Sequence, residues 1–479
     1  MSPSSRAVGC AIVVEVEYTE LDQYPLSGGR LTTWEPVVPD HAWRPDDRAL
    51  SWDHEHHLAG GEDGSWIGSV MHVPAAYDPG HVAAAATAWM LRHEGLRTTI
   101  APAPGGGWRR ATTGGDGLEV RPVEAGEVSP QDAAARISDS FAALTRGSWP
   151  HVRLATVHRE GAPGFDVAFG ADHSVMDAYS QLVWFAEFTT LYDQVRAGAE
   201  PASLVDPAIA SHVDHAAADR AFGASVDAQH PAVMAWHDFL AHDGAPGAGL
   251  RFPDHPDPAV RMGPVTDGSR PQHSTSTWVA GPAELDRLGA RCREAGTSAQ
   301  SGALAMLLLA LRAARGTEAF RFVMPMHTRH DPAHLPAVGW YVGCAPVQVD
   351  LAGAEDTAEV LARIHAGVAA SKHLVGIPLP RIAEVLELHD HPHIVVSYVD
   401  TRHIPGAADW DRLRARTLRS PAYADDEVYL WLVRSHHGLS VSARYPRTEE
   451  ADATLRTLHA DMRGVLRELL AEDAQEVSA

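Results

Sequence analysis

The hydrophobic pattern is most informative over Phe165–Tyr192, which reads FDVAFGADHSVMDAYSQLVWFAEFTTLY. Phe165, Val167 and Phe169 alternate, the two-residue period of a strand over Phe165–Ala171. Further on the period changes: Leu182, Phe185, Phe188 and Leu191 recur at helical spacing, one face of a helix running to about Tyr192. Between strand and helix lies the turn Asp172–Asp177, and Asp177 is placed to cap the helix. His173 therefore stands at a strand end, a rim position where pockets open. That placement suits a general base, and a buried histidine satisfied by its neighbours accounts for it equally well.

The same reading divides the rest of the chain. Strands are expected over Cys10–Tyr18, Ser65–Val73, Leu96–Ile100 and Val152–His158, the last paired with Phe165–Ala171 as a hairpin through the Gly161–Gly164 turn. Helices are expected over His81–Glu94, stopped by Gly95, and over Pro130–Ala143. Leu31–Trp34 and Pro36–Arg48 look irregular. Ala197–Ala224 is small, polar and alanine-rich, which predicts a partly helical crossing between two lobes. Met234–His242 is amphipathic, and Gly244–Ser274, rich in Pro, Gly and Asp, reads as a long surface loop. The second lobe opens with a strand, Ser274–Val279, and a helix, Pro282–Ala295. Thr297 is placed to cap the next helix, Ala299–Arg315, closed by Gly316 and buried because it is apolar all round at Leu304–Leu311. Strands follow at Phe320–Met326, Pro346–Leu351, His393–Asp400, Glu427–Arg434 and Ser440–Tyr445, with helices at Thr357–Ser371 and Glu450–Ala471. Each lobe mixes a sheet with flanking helices, so the fold class is α/β in the broad sense, an α+β sandwich. The expected organisation is an N-terminal lobe over 1–200 carrying His173, a crossing over 201–225 and a C-terminal lobe over 226–479.

Composition narrows the chemistry. A chain of 479 residues is too long for one small core, and 45% hydrophobic with 21% charged residues is ordinary for a globular protein. The net charge of −23 argues against nucleic acid as a partner and predicts repulsion of anionic ligands unless arginines gather locally. Lys372 is the only lysine, so there is no phosphate-loop lysine motif, and a pyridoxal Schiff base would depend on that one residue. Cys10, Cys292 and Cys344 show no CxxC spacing, which fits a reducing cytoplasm. No apolar run approaches the ~18 residues of a membrane span. The clusters His54-Glu55-His56-His57 and His389-Asp390-His391-Pro392-His393 lack the HExxH spacing that sets two imidazoles on one helical face, and no metal is expected. Absence of GxSxG disfavours a serine hydrolase.

Three stretches together resemble the condensation-domain superfamily, whose fold is that of chloramphenicol acetyltransferase. Arg92-His93-Glu94-Gly95-Leu96-Arg97-Thr98 resembles its early Arg-His-Glu signature, and Asp172–Ala178 its active-site pattern His-His-x-x-x-Asp-Gly. Val338-Gly339-Trp340-Tyr341-Val342-Gly343 with Pro346-Val347 resembles the glycine–aromatic stretch of its second lobe. Within the superfamily the chain is most similar to the polyketide-associated acyltransferases of actinobacteria, through Asp172-His173, Val396–Arg402 ahead of Pro405-Gly406, and Ala443-Arg444-Tyr445-Pro446. Two positions depart from the pattern: Asp172 replaces the first histidine and Ala178 the glycine. The histidine that carries the chemistry in the family is kept as His173.

The resemblance implies two chloramphenicol-acetyltransferase-like lobes forming a V with a central tunnel. It implies transfer of an acyl group from a coenzyme A or phosphopantetheinyl carrier-protein thioester to a hydroxyl, or less readily an amine, of a small-molecule acceptor such as a natural product or glycolipid. No bound cofactor and no covalent enzyme intermediate are needed, and the family is generally monomeric. His173 becomes the general base. Asp177 acts on the imidazole or, the favoured reading, is a helix cap or half of a buried ion pair, with Arg97 as expected partner and Arg92 as the alternative. Asp172 either orients the loop or is solvated. Ser397 is a candidate donor to the developing oxyanion. Arg329 would hold a phosphate or carboxylate, or form a surface ion pair. Gly339 and Trp340 are candidates for substrate contact, packing being the favoured reading. The rival readings are a carrier-protein-binding scaffold that has lost its chemistry, for which Asp172 and Ala178 argue, and cyclisation or dehydration of a carrier-bound chain.

Overall fold

The computed structural model describes residues 18–59, 66–147, 149–241, 272–389, 391–420 and 427–471. The strand expected over Cys10–Tyr18 and the loop expected over Gly244–Ser274 lie outside these residues apart from their last positions.

Two large mixed sheets organise the chain. The first has seven strands in the spatial order Tyr18–Thr19, Arg416–Arg419, Trp66–Val73, Phe165–Asp172, Val152–His158, Gly29–Val37 and Glu119–Val128. Phe165–Asp172 lies at its centre, antiparallel to both neighbours, with Val152 opposite Ala171 and Trp66 opposite Asp172. Every residue of that strand is buried, because both faces are covered. Phe165, Val167 and Phe169 pack with Trp89, Trp184 and Phe188 on one face, while Ala168 faces Phe141 and Ile137 on the other. The helix that follows, Ala178–Arg196, is capped by Asp177, whose carboxylate accepts the Ser180 N–H at 2.8 Å. Helix Pro79–Arg92 packs against it.

The second sheet has six strands, His273–Ala280, Gly438–Tyr445, Val428–Ser435, Ile394–Asp400, Ala319–His327 and Val342–Asp350. Helices Pro282–Glu294, Ala299–Arg315, Thr357–Lys372 and Glu449–Ala471 cover one face and make one core with it. Helix Ala299–Arg315 is the most deeply buried of these, as its all-round apolar stretch requires. Its N-cap is Ser298 rather than Thr297: Ser298 Oγ accepts the Ser301 N–H, while Thr297 bonds back to the Cys292 carbonyl. Gly316, at φ 69°, closes it in the left-handed conformation. A small three-stranded sheet, Trp43–Asp46, Trp108–Thr113 and Thr98–Pro102, lies apart.

Two stretches expected to be irregular are ordered. Gly29–Val37 and Trp43–Asp46, which look irregular in sequence, are strands. The interruption by Pro36 and the mixed polarity of Pro36–Arg48 hide the alternation, whereas Leu31 and Trp34 are fully buried in the sheet. Residues 401–419 then leave the second sheet and cross to the first. Arg416–Arg419 pairs antiparallel with Trp66–Val73, and Trp410, Leu413 and Ala415 join the core around Trp89 and Trp184. This segment belongs by sequence to the second half and by pairing to the first sheet.

Candidate active site

His173 begins the single 3-10 turn that joins the central strand to helix Ala178–Arg196. The turn forms because Asp172, the last residue of the strand, accepts the Ser174 N–H with its own carboxylate at 2.9 Å. His173 is half-buried, and its Nδ1 is buried with no hydrogen-bond partner among the described residues. Burial lowers the imidazole pKa from its ordinary 6.5, and the nearby His57 lowers it further; its own backbone and the charges of Asp172 and Asp177 act the other way. The Trp340 ring stands 4.2 Å from the His173 ring, and the His57 ring 6.4 Å from it.

Asp172 is buried rather than solvated, and it has a second role besides the loop bond. His57 Nε2 lies 3.2 Å from both carboxylate oxygens. Burial opposes ionisation of Asp172, but the His57 hydrogen bond and charge, with Ser174, hold it well below the usual carboxylate range.

Asp177 does not engage the His173 imidazole. Its partner is Arg329, neither Arg97 nor Arg92. Arg329 Nη1 donates to Oδ2 at 2.6 Å and Nη2 to Oδ1 at 3.0 Å, and neither side chain is exposed. Ser180 Oγ donates to Asp177 Oδ1 at 2.7 Å, and the Tyr341 N–H to Oδ2 at 2.9 Å. The guanidinium also bonds the His334 and Ala337 carbonyls and is flanked by the Tyr179 and Tyr341 rings. Burial opposes ionisation of Asp177, and the charge and hydrogen bonds of Arg329 overcome it. Arg329 follows strand Ala319–His327 of the second sheet, so this pair ties the two sheets together. With every donor turned inward, Arg329 holds no phosphate or carboxylate ligand and is no surface pair.

The early signature residues turn out to be struts. Arg92 Nε donates to Glu187 at 2.6 Å and Nη1 to the Leu204 carbonyl. His93 Nε2 meets the same Glu187, and its Nδ1 accepts the Val338 N–H of the second lobe. Glu94 is held by Arg48 and Ser211. Arg97 donates to the Met90 and Thr113 carbonyls, an assignment its sequence spacing does not reveal because backbone acceptors carry no side-chain signal.

Gly339 is needed for close approach. A Cβ there would come within 2.3 Å of the His212 ring. His212 Nε2 in turn lies 3.1 Å from both the N–H and the carbonyl oxygen of Trp340, so that the crossing helix His212–Ala224 positions the aromatic plate over His173. Burial, with the neighbouring His215, lowers the His212 pKa to about 3. Ser397 is buried on Ile394–Asp400. Ile394, Val396 and Tyr398 on that strand pack into the second-lobe core, while Val399, which shares the opposite face with Ser397, packs against the first-lobe core. Ser397 therefore faces the junction of the lobes. Among the described residues no three ligand-type side chains converge as a metal site.

The model of the condensation domain matches residues 56–478. The chain belongs to the condensation-domain family. An acyltransferase of Mycobacterium tuberculosis, PapA3, is 23% identical over 95% of this chain and 97% of its own length. PapA1 of Mycobacterium bovis, a 2'-acyl-2-O-sulfo-trehalose (hydroxy)phthioceranyltransferase, is 24% identical over 59% of this chain and 52% of its own. Among solved structures, the PapA2 acyl transferase superposes with a TM-score of 0.83 at 18% identity, covering 95% of this chain and all of that one. The condensation domain of the monacolin K polyketide synthase gives 0.66 at 15% identity, over 90% and 98%. The enzyme class shared with these curated relatives is acyl transfer.

In this condensation-domain chain the structure brings His173, Asp172 and Trp340 together, and it adds two histidines that the sequence did not single out for the site. His57 sits in a cluster read only for metal spacing; the signal that points to it is the burial of Asp172, which demands a donor. His212 starts the alanine-rich crossing, where no local pattern marks it.

Proposed function

We propose that this enzyme transfers an acyl group from the thioester of coenzyme A, or of a carrier protein's phosphopantetheine arm, to a hydroxyl of a natural product or glycolipid, and less readily to an amine. The observation that carries the reading is His173. Burial keeps its imidazole neutral at ordinary pH, and it sits at a strand end at the junction of two lobes. In this reading the acceptor oxygen attacks the thioester carbonyl carbon while His173 takes its proton. The C–S bond then breaks, and the proton passes to the leaving thiolate. No enzyme nucleophile is acylated. Positioned base catalysis of this kind is worth roughly 10²–10⁴-fold. Ser397, on the junction face of its strand, donates to the oxyanion of the tetrahedral intermediate.

A glycolipid acceptor is supported by the PapA1 relative, a 2'-acyl-2-O-sulfo-trehalose (hydroxy)phthioceranyltransferase. The net charge of −23 makes a locally arginine-lined entrance necessary for an anionic donor. We take the enzyme to act as a cytoplasmic monomer; no helix of the described residues is long and apolar enough to cross a membrane.

The test is intact-mass turnover. Purified enzyme is given a panel of acyl-coenzyme A thioesters, and the same acyl groups on a carrier protein, with trehalose and long-chain alcohols as acceptors. A mass gain of one acyl group, lost in His173→Ala at equal folded fraction, supports the reading. Gain only from carrier-loaded donors places the donor on a protein. Equal rates for wild type and His173→Ala would overturn the mechanism, and carrier binding without turnover would favour the scaffold.

A further inference from the structure

Asp172 is a buried carboxylate, directly beside His173 in the chain. An uncompensated negative charge there would favour the protonated imidazole and raise the pH above which His173 is free to act as a base. The strand end offers Asp172 the neutral donors of Ser174, its amide at 2.9 Å among them. The remaining partner comes from helix Trp52–Ala59, which packs against the 3-10 turn carrying His173. Its His57 faces both oxygens of Asp172 through Nε2. The same ring lies edge-on to Trp340 at 5.8 Å, so that Trp340 contacts both imidazoles.

We propose that His57 is a positioning residue of this active site, the counter-group that neutralises the buried Asp172 carboxylate and thereby keeps the neighbouring His173 free of a proton. The inference rests on the reading of His173 as the base. The His57 ring lies 6.4 Å from the His173 ring, and after burial it is the largest influence lowering the His173 pKa.

Other groups around His57 are accounted for. From the strand end come Asp172 and His173 alone. His151, at the start of the adjacent strand, is buried and its pKa is lowered, first by burial. Arg146 binds the His57 carbonyl oxygen rather than its ring, at 2.7 Å. On its own helix, His54 is buried and held neutral, and Asp53 is pushed up to about 8 by burial and by Asp219. Glu55 is taken by Arg220 of the crossing helix. Arg381, from the second lobe, lies over Trp52 at the far end of the helix. Asp172 is therefore the carboxylate that engages the His57 ring.

The test follows the titration of His173 itself, which needs no substrate. Full-length protein labelled with ¹³C at histidine Cε1 is titrated by NMR, the His173 signal being assigned by its loss in His173→Ala. His57→Gln keeps a donor for Asp172 and removes the imidazole. The expected result is an upward shift of the His173 midpoint by about one pH unit. In the double variant His57→Gln/Asp172→Asn the carboxylate charge is removed as well, and the midpoint should return toward wild type. In turnover assays the acidic limb of the rate profile should move with it while the plateau at high pH is retained. A residue with a merely structural role would lower the plateau and leave the midpoint in place, and that result overturns the inference. If His57→Gln melts below the assay temperature, the double variant carries the test: recovered folding supports the inference, and no recovery overturns it. Loss of activity in His173→Ala together with an unmoved midpoint in His57→Gln would refute His57 alone. Full activity in His173→Ala would refute the base and leave the charge coupling to be judged by the titration.

Discussion

Asp177 and Arg329, 152 residues apart in sequence, meet in a two-pronged ion pair from which water is excluded. The pair joins the cap of the active-site helix to the strand end of the opposite sheet. Breaking such a pair on one side leaves a buried charge, which costs about 3–5 kcal/mol. Asp177→Asn and Arg329→Met are each expected to lose stability of that order in urea unfolding, and Arg329→Lys is expected not to rescue, since an ammonium cannot supply the two-pronged contact. The double variant should be less destabilised than the sum of the singles.

His173→Ala is expected to lower turnover by roughly 10²–10⁴-fold with a stability change within about 1 kcal/mol. Because burial holds the wild-type imidazole below its ordinary 6.5, kcat/KM should rise with pH through a midpoint under that value and be flat above it. A midpoint above 6.5 in the free enzyme would contradict the neutral-base reading.

His212 makes the protein sensitive to acid. Its folded-state pKa of about 3 lies below the unfolded value of 6.5, so below pH 6.5 the unfolded chain binds the proton more readily. The neutral ring therefore contributes its full stability above about pH 6.5 and loses it progressively as pH falls toward 3. At pH 5 the loss is about 2 kcal/mol. Urea unfolding at pH 7.5 and pH 5 measures it. His212→Gln should flatten that dependence, and an unchanged slope would count against the assignment.

Gly339→Ala places a methyl group within 2.3 Å of the His212 ring. Displacing that ring is expected to cost about 1–3 kcal/mol and to shift Trp340 over His173. A thermal melt reads the first effect and a raised KM the second.

Ser397→Ala removes the proposed oxyanion donor. It should lower kcat by roughly 10²–10³-fold with KM little changed. Equal losses at any other serine of the same sheet would remove its special standing.

Much of this protein was legible in its pattern of residues. The strand–turn–helix around His173, the cap at Asp177 and the hairpin with Val152–His158 are local, and alternation, helical period and capping chemistry specify them directly. The strand Arg416–Arg419 was not legible. It is four residues long with arginine at both ends, and only its pairing with Trp66–Val73 makes it a strand. The partners of charged side chains were not legible either. The resemblance implies Arg97, or else Arg92, as the partner of Asp177, yet the chain brings Arg329 to it from the far sheet, and Arg97 is satisfied by backbone carbonyls. Likewise His57 reaches Asp172 across 115 positions. The sequence by itself determined the strand, the turn that presents His173 and the helix after it, since these depend on neighbours a few residues away. Only the tertiary structure decided which charges neutralise one another, because a buried ion is partnered by whatever group folding places within 3 Å or so of it, at any distance along the chain.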